Sequence, residues 1–172
     1  MRTHQRPKRE RIPSARVHRR APIVCETATN SPPEDAFRYF MRRFGDWWPR
    51  DSTFSKQPLS LMHLGGAVGE WCYEQGPHGF RYNWGRILEW NPPRLVAFTW
   101  PIVPKSILQP DPDQCTEVGV QFSELAPNKS RLKVTHKYFE RRGADAAGYR
   151  ADMASDYGWP LLLQMFAAAA HA

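Results

Sequence analysis

The sequence has few cysteines, no long apolar run and no charge excess outside its first residues, and each absence excludes a class of protein. Its three cysteines, Cys25, Cys72 and Cys115, are far apart and form no C-x-x-C pair, which argues against a disulfide framework and a thiolate metal site. No apolar segment approaches the ~20 residues that a membrane-spanning helix needs. We therefore predict a cytoplasmic protein with no metal, no cofactor and no membrane partner.

The positive charge of the chain is confined to its start. The formal net charge is +7, yet residues 1–21 carry eight Lys or Arg against one Glu, and residues 22–172 carry 16 basic and 16 acidic side chains. The body therefore has no net field to steer it to a specific nucleic acid. Because the first 21 residues contain almost no large apolar side chains, we predict a disordered basic tail that could bind nucleic acid only non-specifically, followed by one domain over residues 22–172.

The first half of this domain predicts a strand, two helices and then a sheet. Residues 23–29 indicate a strand, and Ser31 followed by two prolines indicates a helix cap. Apolar residues recur at helical spacing through 36–44, and residues 46–49 predict a second, very short helix or a turn. Strands separated by tight turns, which make the sheet antiparallel, are then predicted at 69–75, 80–90, 95–100, 116–124 and 131–138.

The last part of the chain predicts one long helix over residues 144–172. Its larger apolar residues recur in helical register at Tyr149, Met153, Tyr157, Leu161 and Met165. Pro160 must kink this helix or begin it afresh. A sheet longer than its covering helix has to curl around it. The sequence therefore predicts an α+β fold, in which a curved antiparallel sheet of six to seven strands wraps a long C-terminal helix and leaves a pocket between them.

Aromatic residues dominate the face that we expect to be inward in the longest strand. A period of two places six residues on that face, four of them aromatic: Phe80, Tyr82, Trp84, Arg86, Leu88 and Trp90. The preceding strand adds Trp71 and Tyr73. These large rings either pack closely against the small residues 167–170 of the closing helix or leave a hollow, and the sequence supports both arrangements.

Arg86 and His136 are the polar exceptions on otherwise apolar faces. A buried charge needs a partner, because an unpaired charge in the interior is strongly disfavoured. Each side chain could hold the polar end of a ligand. Alternatively, each forms a structural pair with Glu70, Glu89 or Glu117, or is exposed where the strand twists.

Several motifs resemble those of one known family. The run 84–100, WGRILEWNPPRLVAFTW, resembles the G-x-V-x-E-x-x-P-P-x-x-L-x-x-T/S-W signature of the activator of heat-shock-protein-90 ATPase homologue family, within the START-like or SRPBCC superfamily. Four further pieces resemble the family's order: the helix ending in W-W at 33–48, the T-x-V-x-F strand at 115–122, the L-x-L-T-H-x-x-F strand at 132–139, and the G-W at 158–159 that opens the last helix. The resemblance covers residues 23–171 and implies a helix-grip fold around a hydrophobic cavity.

We predict that the domain binds a small hydrophobic or aromatic ligand in that cavity. No nucleophile elbow, H-E-x-x-H motif, phosphate loop or paired-carboxylate spacing is present, so no catalytic residue is assigned. The predicted cavity-lining residues are Trp48, Trp71, Tyr73, Tyr82, Trp84, Arg86, Trp100, Val120, Phe122, Val134, His136, Trp159, Leu163 and Phe166.

Two alternatives stay open. Relatives of the resembled fold use their cavity for polyketide or other aromatic chemistry, which implies a cyclase- or lyase-like enzyme. Its acid or base would have to be His136, Tyr138, Tyr82 or Glu70. The other alternative is a module that acts on a protein partner in association with chaperones. A cavity volume near zero would favour that last interpretation. For each of these functions we expect a monomer or a homodimer.

Overall fold

The computed structural model describes residues 19–50, 53, 56–101 and 114–170. Of the disordered basic tail predicted over residues 1–21, residues 1–18 lie outside the described residues. The end of that tail contacts the body: the backbone N–H of Arg20 lies 3.4 Å from Glu140 Oε2, and Arg150 Nε donates a hydrogen bond of 2.7 Å to the carbonyl oxygen of Ala21.

Seven strands form one antiparallel sheet. They are β1 (Ile23–Thr29), β2 (Leu61–His63), β3 (Trp71–Gln75), β4 (Arg81–Asn91), β5 (Leu95–Trp100), β6 (Thr116–Ala126) and β7 (Lys129–Lys137). Their order across the sheet is β1-β7-β6-β5-β4-β3-β2. The predicted antiparallel sheet is thus confirmed, with β1 and β2 as its two edges.

Within the described residues, four α-helices accompany this sheet. They are α1 (Pro33–Arg42), α2 (Phe44–Trp47), α3 (Ala146–Ala154) and α4 (Trp159–Ala170), and 3₁₀ segments lie at Pro77–Gly79 and Phe139–Asp145. Buried residues of α1, α2 and α4 join those of the strands in one hydrophobic core. The predicted α+β, helix-grip fold is therefore confirmed. None of the helices that the structure describes is long and apolar enough to cross a membrane.

The start of α1 differs from the sequence-based expectation. Pro32, not Ser31, is the N-cap residue, and no side chain caps the helix. Ser31 Oγ instead lies 3.1 Å from Thr29 Oγ1, which is also 2.7 Å from Ser130 Oγ on β7. The predicted Ser31 cap is wrong because the hydroxyl bonds back toward β1. The prolines and the acidic first turn still favour a helix start here.

The predicted single C-terminal helix is interrupted. The chain leaves helical structure between Ala154 and Trp159, so α3 and α4 are separate. Gly158 touches the end of α3 so closely that a Cβ placed on it would lie 2.3 Å from the carbonyl oxygen of Met153. Pro160 then occupies the first turn of α4, where its missing N–H costs no hydrogen bond. Of the two expected effects of Pro160, the fresh start is the one observed.

Strand β4 does not keep a regular alternation of faces. Its pairing with β3 and its pairing with β5 each contain a register shift. A bulge of this kind changes the face on which the following residues lie. Trp84 and Ile87 are consequently buried, whereas Arg86 and Leu88 are exposed. The predicted common face for alternate residues of 80–90 is therefore wrong.

Candidate functional site

Aromatic side chains meet in the interior between the sheet and the helices. The ring of Trp100 on β5 lies 5.6 Å from that of Trp48 and 5.3 Å from that of Trp159. Phe40 of α1 lies 5.6 Å from Phe166 of α4. The rings of the strands therefore meet rings of the helices, and Ala169 and Ala170 also pack against this core. We call this set, with the residues packed on it, the aromatic core.

Ten of the fourteen predicted cavity-lining residues are buried in this core. They are Trp48, Trp84, Trp100, Val120, Phe122, Val134, His136, Trp159, Leu163 and Phe166. Tyr82 is half-buried and packs against the same core. The predicted inner faces of β6 and β7, which supply four of the ten, are confirmed as the buried faces of those strands.

The other three predicted residues, Trp71, Tyr73 and Arg86, do not share this interior. Trp71 is 41% exposed, and the guanidinium carbon of Arg86 lies 4.1 Å from its ring centroid. Tyr73 is sandwiched by Arg81, 3.7 Å from its ring centroid, and by the ring of His63 at 4.7 Å.

These three side chains were predicted to line the cavity, and the structure places them outside the aromatic core. In β3, Cys72 and Glu74 are buried, so the alternate residues Trp71 and Tyr73 lie on the outer face of the sheet. The register shift between β3 and β4 places Arg86, which pairs with Trp71, on the same face.

His136 forms a complete set of hydrogen bonds inside the core. The indole N–H of Trp159 donates to His136 Nδ1 over 3.0 Å, which assigns the imidazole proton to Nε2. Nε2 lies 2.7 Å from Thr116 Oγ1 and donates to it. The Thr116 hydroxyl donates in turn to the carbonyl oxygen of Trp100 over 3.0 Å. The side chain is thus paired with a hydroxyl and an indole, and with none of the glutamates considered from the sequence.

The surroundings of His136 keep its imidazole neutral. The residue is 0% exposed. Burial, and secondarily the nearby guanidinium of Arg142, lower the pKa of His136 to about 3. Because both ring nitrogens are occupied and the imidazole does not take a proton near neutral pH, His136 lacks the properties of a general acid or base.

Arg142 and Tyr149 complete this polar region. Arg142 Nη2 donates to the carbonyl oxygen of Trp100 over 2.8 Å, and its guanidinium carbon lies 5.2 Å from the ring centroid of Tyr149. Burial raises the pKa of Tyr149 and lowers the pKa of Arg142. We refer to His136, Thr116, Arg142, Tyr149 and Trp159 as the His136 cluster.

A groove of about 630 Å³ opens between α2, the segment that follows it, and β2. Its apolar wall includes Trp48, Leu59 and Met62. Trp48 also belongs to the aromatic core and stacks on Phe44 with 5.1 Å between ring centroids. Gly45 lets α2 approach β2, since a Cβ placed on it would lie 3.3 Å from Met62 Cβ. We call this opening the α2–β2 groove.

Charged side chains line the other part of the α2–β2 groove. Arg42 comes from the last turn of α1, Arg43 follows it, and Arg50 comes from the chain after α2. Arg43 Nε forms an ion pair with Asp46, the one acidic side chain of the lining that the structure describes. Arg42 and Arg50 are exposed and form no ion pair with any described residue. The groove thus combines an aromatic wall with an excess of positive charge.

Of the described residues that line this groove, the sequence predicted only Trp48 as part of a ligand site. The groove depends on the chain between Trp48 and β2, and among the described residues from 49 to 63 only the three residues of β2 are in regular structure. A periodicity argument has nothing to detect in such a segment. The only available signals were the Trp47-Trp48 pair and Pro49, which mark the end of α2.

The remaining acid or base candidates lie in separate surroundings. Burial and, secondarily, Glu74 raise the pKa of the half-buried Tyr82. Glu70 is exposed and accepts a backbone N–H over 2.7 Å. Tyr138 lies beneath Arg141, whose guanidinium carbon is 4.3 Å from its ring centroid. None of the three lines the α2–β2 groove. Among the described residues, no group of three His, Cys, Asp or Glu side chains is placed to hold a metal ion.

A comparison with known protein families identifies the family of this chain. Residues 30–171 match the family described as Activator of Hsp90 ATPase homolog 1-like protein. The chain belongs to this family. The resemblance read from the motifs is therefore confirmed, over nearly the same range. No curated protein matches the chain.

Solved structures similar to this family member share its fold. The anthrahydroquino-gamma-pyrone synthase Txn09, solved in complex with SUM, is 28% identical, with 87% of this chain and 97% of that chain covered and a TM-score of 0.59. The self-sacrificing resistance protein CalC from Micromonospora echinospora is 22% identical, with 87% and 94% covered and a TM-score of 0.61. Protein MLL2253 from Mesorhizobium loti is 16% identical, with 86% and 94% covered and a TM-score of 0.54.

Proposed function

We propose that this chain binds a small aromatic molecule in the α2–β2 groove, with the rings of the ligand against Trp48. The observation that carries the proposal is the groove itself. Its volume of about 630 Å³ is within the range of about 300–1,000 Å³ typical of small-molecule sites, which combine apolar walls with a few polar groups.

The position of the groove relative to the aromatic core supports an aromatic ligand. Trp48 belongs to both, and its ring is held by Phe44 on one side and by Trp100 at 5.6 Å. Trp48 is 5% exposed, so the contact area that it offers is small, but its ring is already fixed and loses no side-chain freedom when a ligand binds. The ligand therefore extends a stack of rings that the fold already contains.

The likeness to Txn09 supports the same class of ligand. That protein is named as a synthase of an anthrahydroquino-gamma-pyrone, a fused-ring aromatic product, and it is 28% identical to this chain over most of both chains. Fused rings offer large flat apolar faces, which suit a groove walled by Trp48, Leu59 and Met62.

The test is to fill the groove and measure binding. Ser60 is exposed and lines the groove, so Ser60→Trp places an indole in the ligand's space. Isothermal titration calorimetry with emodin and quercetin is expected to give dissociation constants of about 100 μM or less with the native chain. Ser60→Trp is expected to weaken the binding of both ligands by about tenfold or more.

Two control variants separate loss of the groove from loss of the fold. Ser123→Trp adds the same side chain at an exposed position of β6 outside the groove, and Arg86→Ala changes the outer face of the sheet. Both are expected to bind as the native chain does. If neither ligand binds the native chain, or if Ser60→Trp binds as well as Ser123→Trp, the proposed function is wrong.

A cyclase-like enzyme using the same groove is the second candidate, and the likeness to a synthase is what favours it. A suitable probe is 1-(2-hydroxyphenyl)butane-1,3-dione, whose phenol oxygen can close on the distal carbonyl carbon and release one water to give a gamma-pyrone ring. Mass spectrometry would follow the loss of water. A rate above that in buffer, abolished by Ser60→Trp and kept by Ser123→Trp, would support the enzyme, and a rate equal to that in buffer would exclude this reaction.

A further inference from the structure

The described lining of the α2–β2 groove is positively charged although the folded body of the chain is not. Three guanidinium groups, those of Arg42, Arg43 and Arg50, face one carboxylate, that of Asp46. Residues 22–172 as a whole carry equal numbers of basic and acidic side chains. The positive excess is therefore a local property of the described part of the lining, and it acts on a ligand that contacts this part.

Two of the three guanidinium groups are available to a ligand. The Nε of Arg43 is bound to Asp46, three residues along the chain. Arg42 and Arg50 are exposed, and no described residue forms an ion pair with either. Both lie close in sequence to rigid parts of the structure, because Arg42 ends α1 and Arg50 follows Trp48 by two residues.

We propose that the ligand of the α2–β2 groove is an anionic aromatic molecule whose carboxylate, sulfonate or phenolate group is bound by Arg42 and Arg50 while its rings lie against Trp48. The proposal rests on the proposed function and narrows the class of ligand. A guanidinium group presents planar N–H donors that match the oxygens of such anions. An apolar wall beside these cations excludes part of the water, so the ion pairs are screened less than on an open surface.

The test compares two probes with the same rings and different charge. Anthraquinone-2-carboxylate and anthraquinone-2-carboxamide are titrated into the native chain and into the double variant Arg42→Gln/Arg50→Gln. With the native chain, the carboxylate is expected to bind about tenfold tighter than the carboxamide. In the double variant, the affinity for the carboxylate is expected to fall about tenfold, and the affinity for the carboxamide is expected to stay within about twofold of that of the native chain.

A control variant corrects for the change in net charge. Arg38→Gln/Arg94→Gln removes the same two charges from exposed positions outside the groove lining and is expected to bind both probes as the native chain does. Raising the salt concentration from about 20 mM to about 500 mM is expected to weaken the binding of the carboxylate and to leave the binding of the carboxamide nearly unchanged.

The outcomes separate this inference from the proposed function on which it rests. If both probes bind equally well and the groove arginines change neither affinity, the ligand class is wrong while aromatic binding stands. The same conclusion follows if the control variant weakens the carboxylate as much as the groove variant does. If neither probe binds the native chain, both the inference and the proposed function are wrong.

Discussion

The His136 cluster and the α2–β2 groove differ in how their polar groups are satisfied, although the aromatic core connects them. In the cluster, both nitrogens of His136 have protein partners and the ring is fully buried. In the groove, Arg42 and Arg50 are exposed. The two regions are connected by the contact between the rings of Trp48 and Trp100, whose centroids are 5.6 Å apart.

This difference separates the residues that stabilise the fold from those available for binding. A buried polar group is costly unless its hydrogen bonds are complete. The two completed hydrogen bonds of His136 hold α4 to β7 and leave neither of its ring nitrogens for a ligand. Exposed cations remain hydrated and cost the fold little, and they can exchange water for a ligand. We therefore expect substitutions in the cluster to change stability and substitutions in the groove to change binding.

The largest expected effect is that of Trp159→Ala. Trp159 is 2% exposed, packs on Trp100 and donates to His136 Nδ1. Removing it creates a cavity and leaves His136 Nδ1 without its donor, so the free energy of unfolding is expected to fall by about 3–5 kcal/mol. Urea denaturation followed by circular dichroism measures the change.

The control for that substitution is Tyr157→Ala, two residues earlier. Tyr157 is 88% exposed, so its removal is expected to change the free energy of unfolding by about 0.5 kcal/mol or less. If Trp159→Ala lowers the free energy of unfolding by about 1 kcal/mol or less, the comparison between cluster and groove fails, because the cluster is then not the region that stabilises the fold.

The second effect is a loss of stability in acid caused by His136. The pKa of this residue is lowered from 6.5 to about 3 in the folded chain, so the unfolded chain binds the proton more readily. Its contribution is fully present above pH 6.5 and is lost as the pH falls toward 3. Between neutral pH and pH 4.5 the free energy of unfolding is expected to drop by about 2–3 kcal/mol through this residue.

The variant that isolates the titration is His136→Gln. A glutamine amide can accept from the indole of Trp159 and donate to Thr116, but it does not titrate. The difference in unfolding free energy between native chain and variant is therefore expected to shrink by about 2–3 kcal/mol on going from pH 7 to pH 4.5. A difference that stays constant with pH would show that the imidazole is not held neutral by the cluster.

The third effect sharpens the comparison by testing how Trp159 is positioned. Gly158→Ala brings a Cβ to 2.3 Å from the carbonyl oxygen of Met153, so α3 and α4 must shift, and the expected cost is about 1–3 kcal/mol. The matched control is Gly148→Ala in α3, where a Cβ meets no atom within 4 Å. There the expected change is a stabilisation of about 0.5–1 kcal/mol. Equal effects at both glycines would contradict a close contact at Gly158.

Much of the fold could be predicted because its signals are local. Alternation along β6 and β7 predicts the inner positions Val118, Val120 and Val134, and all three are 0% exposed. Tight turns between long strands predict antiparallel neighbours, and the observed sheet follows them. The family motifs and their order add the helix-grip arrangement of sheet and C-terminal helix.

The failures arise where a local pattern depends on a distant partner. Alternation in β4 misplaces Arg86 because bulges against β3 and β5 change the face, and a bulge is set by the pairing of two strands rather than by one. The break before α4 depends on the contact of Gly158 with the end of α3. The role of His136 as a neutral, fully bonded side chain depends on Thr116 and Trp159, which are distant in the sequence.

The sequence by itself determined most of the order of strands and helices, with β2 and the break between α3 and α4 as exceptions. It also determined the aromatic character of the core and the family to which the chain belongs, because these depend on residue types at fixed spacings. Only the tertiary structure decided which rings fill the interior and where an opening is left. Side chains close a space according to the register of neighbouring strands and the approach of helices, and neither is local to one segment. The α2–β2 groove, walled by Trp48 and bordered by Arg42 and Arg50, is a product of that packing.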